Sequence, residues 1–181
     1  AWPGSAGGRD TALACLLTRR VGQTGRMRIA AAVVSTLLVI GYAVGSGIWV
    51  STDAGWYRAL ERPPWQPPDI VFGLIWPYNF LMLIIVGILI ALTATGPMIG
   101  WWLGLLTASI VAALAWAYLF YVPHALWAST VALGLAFVLT VPLVIIAWRT
   151  QWWAGVVLLP YAAWLGIATS LAAGYATRNP G

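Results

Sequence analysis

The sequence predicts an all-α integral membrane protein whose membrane domain is a bundle of five transmembrane helices. Of its 181 residues, 62% are hydrophobic and only 7% are charged, whereas soluble domains carry about 25% charged residues. Uncharged apolar runs recur along the chain, and a bilayer core needs about 20 helical residues to cross it. The apolar residues follow one another without alternation, which does not fit a membrane β-barrel.

Polar breaks divide the apolar sequence into five spans. From residue 70 to residue 148 there is no Asp, Glu, Lys or Arg, and turn signals at Gly96-Pro97 and around Pro123 divide this length into three spans. A further polar break at Arg149 precedes the last span. The predicted spans are about 29–50, 70–92, 98–122, 125–147 and 152–176.

The basic residues lie mainly before the first span. Residues 1–28 are predicted to be a disordered tail or an extension, and residues 29–179 to form the membrane domain. All nine basic residues are Arg, six on one side of the predicted bundle and three on the other, which predicts a cytoplasmic N-terminus. No basic stripe is interleaved with aromatic residues, so the net charge of +5 does not predict nucleic-acid binding.

Eleven of the thirteen tryptophans fall into two groups. Those near span ends are predicted to form an interfacial aromatic belt, and they are Trp49, Trp101, Trp102, Trp127, Trp148, Trp152 and Trp153. Such a belt does not account for Trp76 inside the second span or for Trp164 near the middle of the fifth. It also leaves Trp56 and Trp65 in the first loop unexplained.

The first loop combines large aromatic residues with proline pairs. Pro63-Pro64 and Pro67-Pro68 fix φ and favour extended geometry, so the loop loses little entropy when it becomes ordered. Trp56, Tyr57 and Trp65 lie in the same loop and are rings that water does not favour. The pattern predicts a stiff lid over a pocket. The alternative is a loop that only packs on the helix ends.

Two spans carry aromatic residues along one helical face. In the second span this face holds Phe72, Trp76, Asn79 and Phe80. In the fifth span it holds Tyr161, Trp164 and Ala168. Aromatic groups with polar tips need a hydrogen-bond partner at bilayer depth, either on another helix or on a ligand. Two such faces beneath an aromatic lid predict a site for a flat, apolar ligand.

These residues resemble motifs of the tryptophan-rich sensory protein and translocator protein (peripheral benzodiazepine receptor) family. The first-loop motif comprises Trp56-Tyr57, Leu60-Glu61-Arg62-Pro63, Trp65-Gln66-Pro67-Pro68, Phe72 and Trp76. The fifth-helix motif comprises Trp153-Ala154-Gly155-Val156, Pro160-Tyr161, Trp164 and Ala168-Thr169. Trp116 with Phe120-Tyr121 is similar to the third-helix motif. The resemblance covers about residues 29–179.

The resemblance implies a five-helix bundle, usually dimeric, that binds porphyrins, sterols in some members, and benzodiazepine-type drugs beneath the first loop. It implies no required cofactor, with porphyrin as a ligand. The ligand-binding positions carried over are Trp56, Tyr57, Leu60, Trp76, Tyr161 and Trp164. The same motifs add Trp65, Pro67, Pro68, Phe72 and Trp116 as candidates. Trp56 and Trp164 match the two tryptophans that are linked to porphyrin photochemistry in the family.

Three positions depart from the family pattern. Ala113 and Ala172 stand where many members have Asn, and an aromatic after Trp76 is displaced to give Asn79-Phe80. The loss of two polar groups bears on the identity of the ligand more than on the fold. Residues 171–178 fit a proposed cholesterol pattern, which many membrane helix ends also match.

Conventional catalysis has few residues available in this chain. No carboxylate lies in a predicted span, although general acid–base catalysis needs a positioned titratable group. The single His124 is interpreted as an interfacial residue, with axial ligation of haem iron as an alternative. One His and one Cys exclude a dedicated metal site with several such ligands.

Three functions remain open after these exclusions. The favoured function is a porphyrin-binding membrane receptor or sensor in the bacterial plasma membrane. The alternatives are a light-dependent porphyrin-degrading protein, with Trp56 and Trp164 as candidate photochemical residues, and a transporter of apolar ligands. Transporters usually keep ionisable residues within the membrane, which disfavours the last. Small residues at Ala108 and Ala112 suit either packing within one bundle or the close approach of two chains, and the resemblance to a usually dimeric family favours a homodimer through the third span.

Overall fold

The computed structural model describes the backbone of residues 6–50 and 52–180 and the side chains of residues 24–50 and 52–180. Within these ranges it contains six helices. They are α1 (Ala6–Val50), α2 (Ala54–Ala59), α3 (Asp69–Thr93), α4 (Gly96–Tyr121), α5 (Leu126–Thr150) and α6 (Trp152–Arg178). All except α2 are long and apolar enough to cross a membrane, with Thr24–Val50 as the spanning part of α1. The predicted all-α bundle of five spans is confirmed.

The ends of the helices differ from the predicted span ends by a few residues. Helix α4 begins at Gly96 because Pro97 occupies its first turn. The N–H that proline lacks is one that the first turn leaves unpaired in any case, so the Gly-Pro pair begins the helix instead of forming a separate turn. Helix α5 continues to Thr150, and Gln151 then caps the end of α5 and the start of α6.

The predicted tail overlaps the first part of α1. The helix begins at Ala6, and its membrane-spanning part begins at Thr24. Residues 1–5 lie outside the described residues, as do the side chains before residue 24. The prediction that residues 1–28 form a disordered tail or an extension stays a prediction.

The five spanning helices form a closed ring. Each packs mainly against two neighbours, in the order α1, α3, α6, α5, α4 and back to α1, and α3 also contacts α4 and α5 across the ring. Exposed apolar side chains on every helix form the outer surface, for example Val33, Leu74, Val111, Val131 and Leu159. Such a surface is stable against lipid and not against water. The protein is therefore a multi-pass integral membrane protein.

Trp102 lies inside the ring and not in the interfacial belt. Its side chain is only 1% exposed, and its Nε1 donates a hydrogen bond to Ser35 Oγ over 3.2 Å. The prediction of a belt position was wrong for this residue, because its position near a span end does not reveal that it faces α1. Trp101, Trp127 and Trp152 are exposed, as predicted.

Gly87 allows α3 to approach the hydrogen bond between Ser35 and Trp102. A Cβ atom at residue 87 would lie 2.2 Å from Ser35 Oγ and 3.2 Å from Ser35 Cβ. We expect Gly87→Ala to lower the free energy of unfolding by about 1–3 kcal/mol, because Ser35 must move and release the tryptophan. Gly73→Ala, on the same helix, is the control, since a Cβ there meets no atom within 4 Å.

The measurement is thermal unfolding of both variants in detergent micelles. Gly73→Ala should leave the midpoint unchanged or raise it slightly, because alanine favours helix over glycine by up to about 1 kcal/mol. An equal midpoint for Gly87→Ala and the parent protein would contradict the tight crossing of α1 and α3.

The predicted dimer face on α4 is only partly on the surface. Ala108 is exposed, whereas Ala112 is 6% exposed and belongs to the core of the bundle. Self-association through this face stays a prediction.

Candidate ligand-binding site

A cavity of about 290 Å³, here called the first cavity, lies beneath the first loop and between α3, α4 and α6. The residues that line it are Val50, Tyr57, Asp69, Phe72, Trp76, Trp116, Phe120, Tyr121, Trp164, Ala168, Leu171, Ala172 and Tyr175. Phe72 and Trp76 approach the Trp164 ring at centroid distances of 4.9 and 6.5 Å, both edge to face. The wall is mostly aromatic, which suits a flat apolar molecule.

Two buried donors in this wall have no hydrogen-bond partner among the described residues. They are the Nε1 atoms of Trp116 and Trp164. An unpaired buried N–H costs about 1–3 kcal/mol, so a molecule that brings an acceptor to either indole recovers part of that cost. The other polar groups in the wall include the hydroxyls of Tyr57 and Tyr175, which are 3.2 Å apart.

A side cavity of about 220 Å³ adjoins the first cavity. The two share Val50, Trp76 and Trp116, and the side cavity extends to Gly47 on α1. Small-molecule sites usually measure about 300–1,000 Å³. The first cavity is just below that range, and the two together lie within it. Displacement of the Trp76 or Trp116 side chain would therefore make room for a larger ligand.

The first part of the lid is the short helix α2. Asp53 caps it, because its Oδ1 accepts a hydrogen bond from the Trp56 N–H over 2.9 Å. The helix places Tyr57 against the first cavity and Trp56 on another side, so two neighbouring aromatic residues have different environments. The sequence pattern predicted one stiff loop that contains both residues, and it did not predict this helix.

The second part of the lid, residues 61–68, is fastened to the end of α6. The Glu61 N–H donates to Asn179 Oδ1 over 2.9 Å, and Asn179 Nδ2 donates to the Glu61 carbonyl over 3.2 Å. The Tyr175 hydroxyl donates to Gln66 Oε1. The Arg178 guanidinium lies 4.9 Å from the Trp65 ring centroid, within the range of a cation–π contact. These contacts hold the lid over the first cavity.

Trp56 lines a separate outer cavity of about 440 Å³. Its ring stacks on His124 at a centroid distance of 3.8 Å and meets Phe120 edge to face at 5.5 Å. His124 has a φ of 58°, a region that is uncommon for residues other than glycine. Its Nε2 lies 3.8 Å from Asp53 Oδ2, which places an ion pair across the lid whenever the imidazole is protonated.

The predicted site residues are thus divided among several places. Tyr57, Phe72, Trp76, Trp116 and Trp164 line the first cavity. Trp56 and Leu60 line the outer cavity. Trp65, Pro67 and Pro68 belong to the second part of the lid, with Pro68 as the N-cap of α3. Tyr161 lies deeper in the bundle and is 1% exposed. The structure therefore does not bring Trp56 and Trp164 together in one cavity.

Several residues of the first cavity were not among the predicted contacts. On α6 these are Ala168, Leu171, Ala172 and Tyr175. They continue the helical face of Trp164 toward the lid at steps of three or four residues. Extending that periodicity beyond Ala168 would have found them. Tyr175 has a second role, because it holds both Tyr57 and Gln66 of the lid.

The described residues offer little for metal binding or acid–base chemistry. Among them, no group of three His, Cys, Asp or Glu side chains lies together in a way that could hold a metal ion. Asp69 is the one carboxylate in the lining of the first cavity, and it is exposed at the start of α3. The lining of the first cavity therefore consists mainly of aromatic and aliphatic surface.

The fold and the cavity together define a five-helix integral membrane protein with an aromatic site covered by its first loop. Comparison with known protein families gives the same class. The model of the TspO/MBR family matches residues 30–178. The chain belongs to this family, as its motifs predicted.

Individual relatives are similar over most of their length. The chain is 30% identical to the tryptophan-rich protein TspO of Bacillus cereus over 135 residues, which cover 74% of this chain and 87% of that protein. It is 27% identical to a tryptophan-rich sensory protein of Cereibacter sphaeroides, with 75% and 83% covered. It is 23% identical to the protein CrtK of Rhodobacter capsulatus, with 73% and 83% covered.

Proposed function

We propose that this protein is a membrane receptor or sensor that binds a porphyrin in the first cavity. The observation that carries the proposal is the wall of aromatic rings, in which Trp76 and Trp164 stand edge to face beneath Tyr57 of the lid. A porphyrin is flat, aromatic and largely apolar, and offers broad faces to such rings. Membership of the TspO/MBR family supports the same ligand class.

The two unpaired indole donors favour a porphyrin that carries acceptor groups. Trp116 and Trp164 each have a buried Nε1 without a partner among the described residues. The propionate side chains of common porphyrins are strong acceptors, and a charge-assisted hydrogen bond is about twice as strong as a neutral one. Sterols offer one hydroxyl and no aromatic face, so we expect them to bind more weakly than porphyrins.

The test is a tryptophan-fluorescence titration of the protein in lipid nanodiscs with protoporphyrin, a sterol and a benzodiazepine-type compound. We expect saturable quenching by protoporphyrin. Trp164→Phe should weaken binding several-fold, because it keeps a ring but loses a donor, and such terms contribute about 0.5–1.5 kcal/mol each. Trp49→Phe is the control, since Trp49 packs on Tyr118 outside the first cavity.

Two results would contradict the proposal. One is quenching by protoporphyrin that does not saturate, or that equals the quenching seen with empty nanodiscs and free tryptophan. The other is a Trp49→Phe variant that loses as much affinity as Trp164→Phe.

The second candidate function is light-dependent degradation of the bound porphyrin. It is favoured by the position of the Trp164 indole in the cavity wall, where it would touch the ligand. Trp56 lines the outer cavity instead. If the protein degrades porphyrin, an illuminated absorbance time course should slow strongly for Trp164→Phe and much less for Trp56→Phe. If the parent protein shows no light-dependent loss of porphyrin absorbance, the degradation function is contradicted and the receptor function remains.

A further inference from the structure

Asn79 is a buried polar residue in the middle of the bundle. Its side chain is 0% exposed, and neither its Oδ1 nor its Nδ2 has a hydrogen-bond partner among the described residues. The Tyr42 hydroxyl is also buried without a partner. In a membrane interior an unsatisfied amide is costly, because no solvent is present to replace the missing bonds. Both groups therefore need an explanation.

The two residues belong to a set to which every spanning helix contributes one polar side chain. The members are Tyr42 on α1, Asn79 on α3, Ser109 on α4, Thr140 on α5 and Tyr161 on α6, and none is more than 1% exposed. The hydroxyl oxygens of Ser109 and Thr140 are 3.2 Å apart. The Tyr161 hydroxyl lies close to the hydroxyls of Tyr42, Ser109 and Thr140.

The register of the helices brings Asn79 to the same depth as this cluster. Ser35 on α1 lies against Gly87 on the antiparallel α3. Two helical turns farther along, seven residues on each helix, Tyr42 lies against Phe80, and their ring centroids are 5.2 Å apart. Asn79 is the neighbour of Phe80 and is turned by about 100° from it, toward the buried side of α3.

We propose that Asn79 and Tyr42 hold an ordered water molecule at the centre of the five-helix ring. Such a water accepts a hydrogen bond from the Tyr42 hydroxyl and donates one to Asn79 Oδ1. The water also accepts a hydrogen bond from Asn79 Nδ2 and donates one to the Tyr161 hydroxyl. Buried waters typically make about three hydrogen bonds to polar groups that have no other partner, and this cluster supplies that number.

The water site lies below the first cavity and is separated from it by tryptophan rings. Trp76 lines the cavity and contacts the Tyr42 ring edge to face at 6.1 Å. Trp164 lies one turn from Tyr161 on α6 and contacts Trp76. The site therefore hydrogen-bonds α1, α3 and α6 to one another beneath the cavity floor. It does not depend on the proposed ligand.

The direct test is solid-state NMR of the protein in proteoliposomes, with magnetisation transferred from water protons to side-chain nitrogens. Asn79 Nδ2 should show transfer from water although its side chain is fully buried. Exposed Gln151 is the positive control. The Trp102 Nε1, which is bonded directly to Ser35 Oγ, is the buried negative control. Transfer to Gln151 without transfer to Asn79 would overturn the proposal.

Thermal unfolding of a substituted protein gives a second test, because the two possibilities predict opposite changes in the unfolding midpoint. Asn79→Leu nearly preserves volume, so it should lower the unfolding midpoint if the amide binds water. It should raise the midpoint if the amide is simply unpaired, because an unsatisfied group is then removed. A raised midpoint would overturn the proposal. If Asn79→Leu does not fold, Tyr42→Phe removes only the hydroxyl and should weaken the water signal at Asn79. An unchanged signal in that variant would also overturn it.

Discussion

An Ala168→Phe variant should lose saturable porphyrin binding, with an increase in Kd of at least about tenfold, or 1.4 kcal/mol. Ala168 is 8% exposed and lines the first cavity beside Trp164. A phenyl ring at this position takes up much of a volume of about 290 Å³. The ligand must then displace the new ring or remain outside, and close packing leaves little room for displacement.

The matched control is Ala163→Phe on the same helix. Ala163 is exposed on the outer face of α6, so its new ring meets lipid and should leave the Kd unchanged. Thermal unfolding of both variants shows that each is folded. A further variant, Ala176→Phe, changes the outer cavity, which Trp56 and His124 also line. Loss of binding in Ala176→Phe alone would assign the ligand to the outer cavity and contradict the first.

The second large effect is expected at Gly174, where the lid touches α6. A Cβ atom there would lie 2.8 Å from both Pro63 Cγ and Trp65 Cζ2. We expect Gly174→Ala to push residues 61–68 away from α6, at a cost of about 1–3 kcal/mol to the closed lid. Opening of the lid should then become at least about tenfold more frequent.

Trypsin provides the measurement, because Arg58 is exposed on α2. Cleavage after this residue requires local opening of the lid, and its rate follows the population of the open form when closing is fast. Gly174→Ala should be cleaved there at least about tenfold faster than the parent protein. Gly166→Ala is the control, because its Cβ would meet Phe137 at an ordinary 3.5 Å. Equal cleavage of all three proteins would show that the lid is not anchored at Gly174.

The five spans could be predicted because the distribution of charged and apolar residues along the sequence indicates which segments lie in the membrane. Long uncharged runs specify helices in a membrane whatever their neighbours are, and the observed helices follow those runs closely. Helix α2 was missed because it is only six residues long and depends on one capping carboxylate, that of Asp53. A local hydrogen bond of this kind leaves little trace in composition.

The distribution of the aromatic residues could be predicted only in part. The helical period placed Trp76 and Trp164 on inward faces, and both line the first cavity. The helical period could not show that Trp164 lines the first cavity while Tyr161 does not. The two residues share one face of α6, and Tyr161 lies one turn deeper, in the closed interior of the bundle. Nor could the period show that α2 turns Trp56 away from the first cavity, since that depends on how the lid docks on α6.

The ring order of the helices determines when the first cavity can be completed during synthesis. Chains emerge from the N-terminus, so α1, α3, α4 and α5 are made first and leave a gap between α3 and α5. Helix α6 fills that gap last. It supplies one wall of the first cavity and the Asn179 side chain that fastens the lid. The lid sequence is therefore synthesised well before the helix on which the lid docks, and the first cavity cannot be completed until α6 has been made.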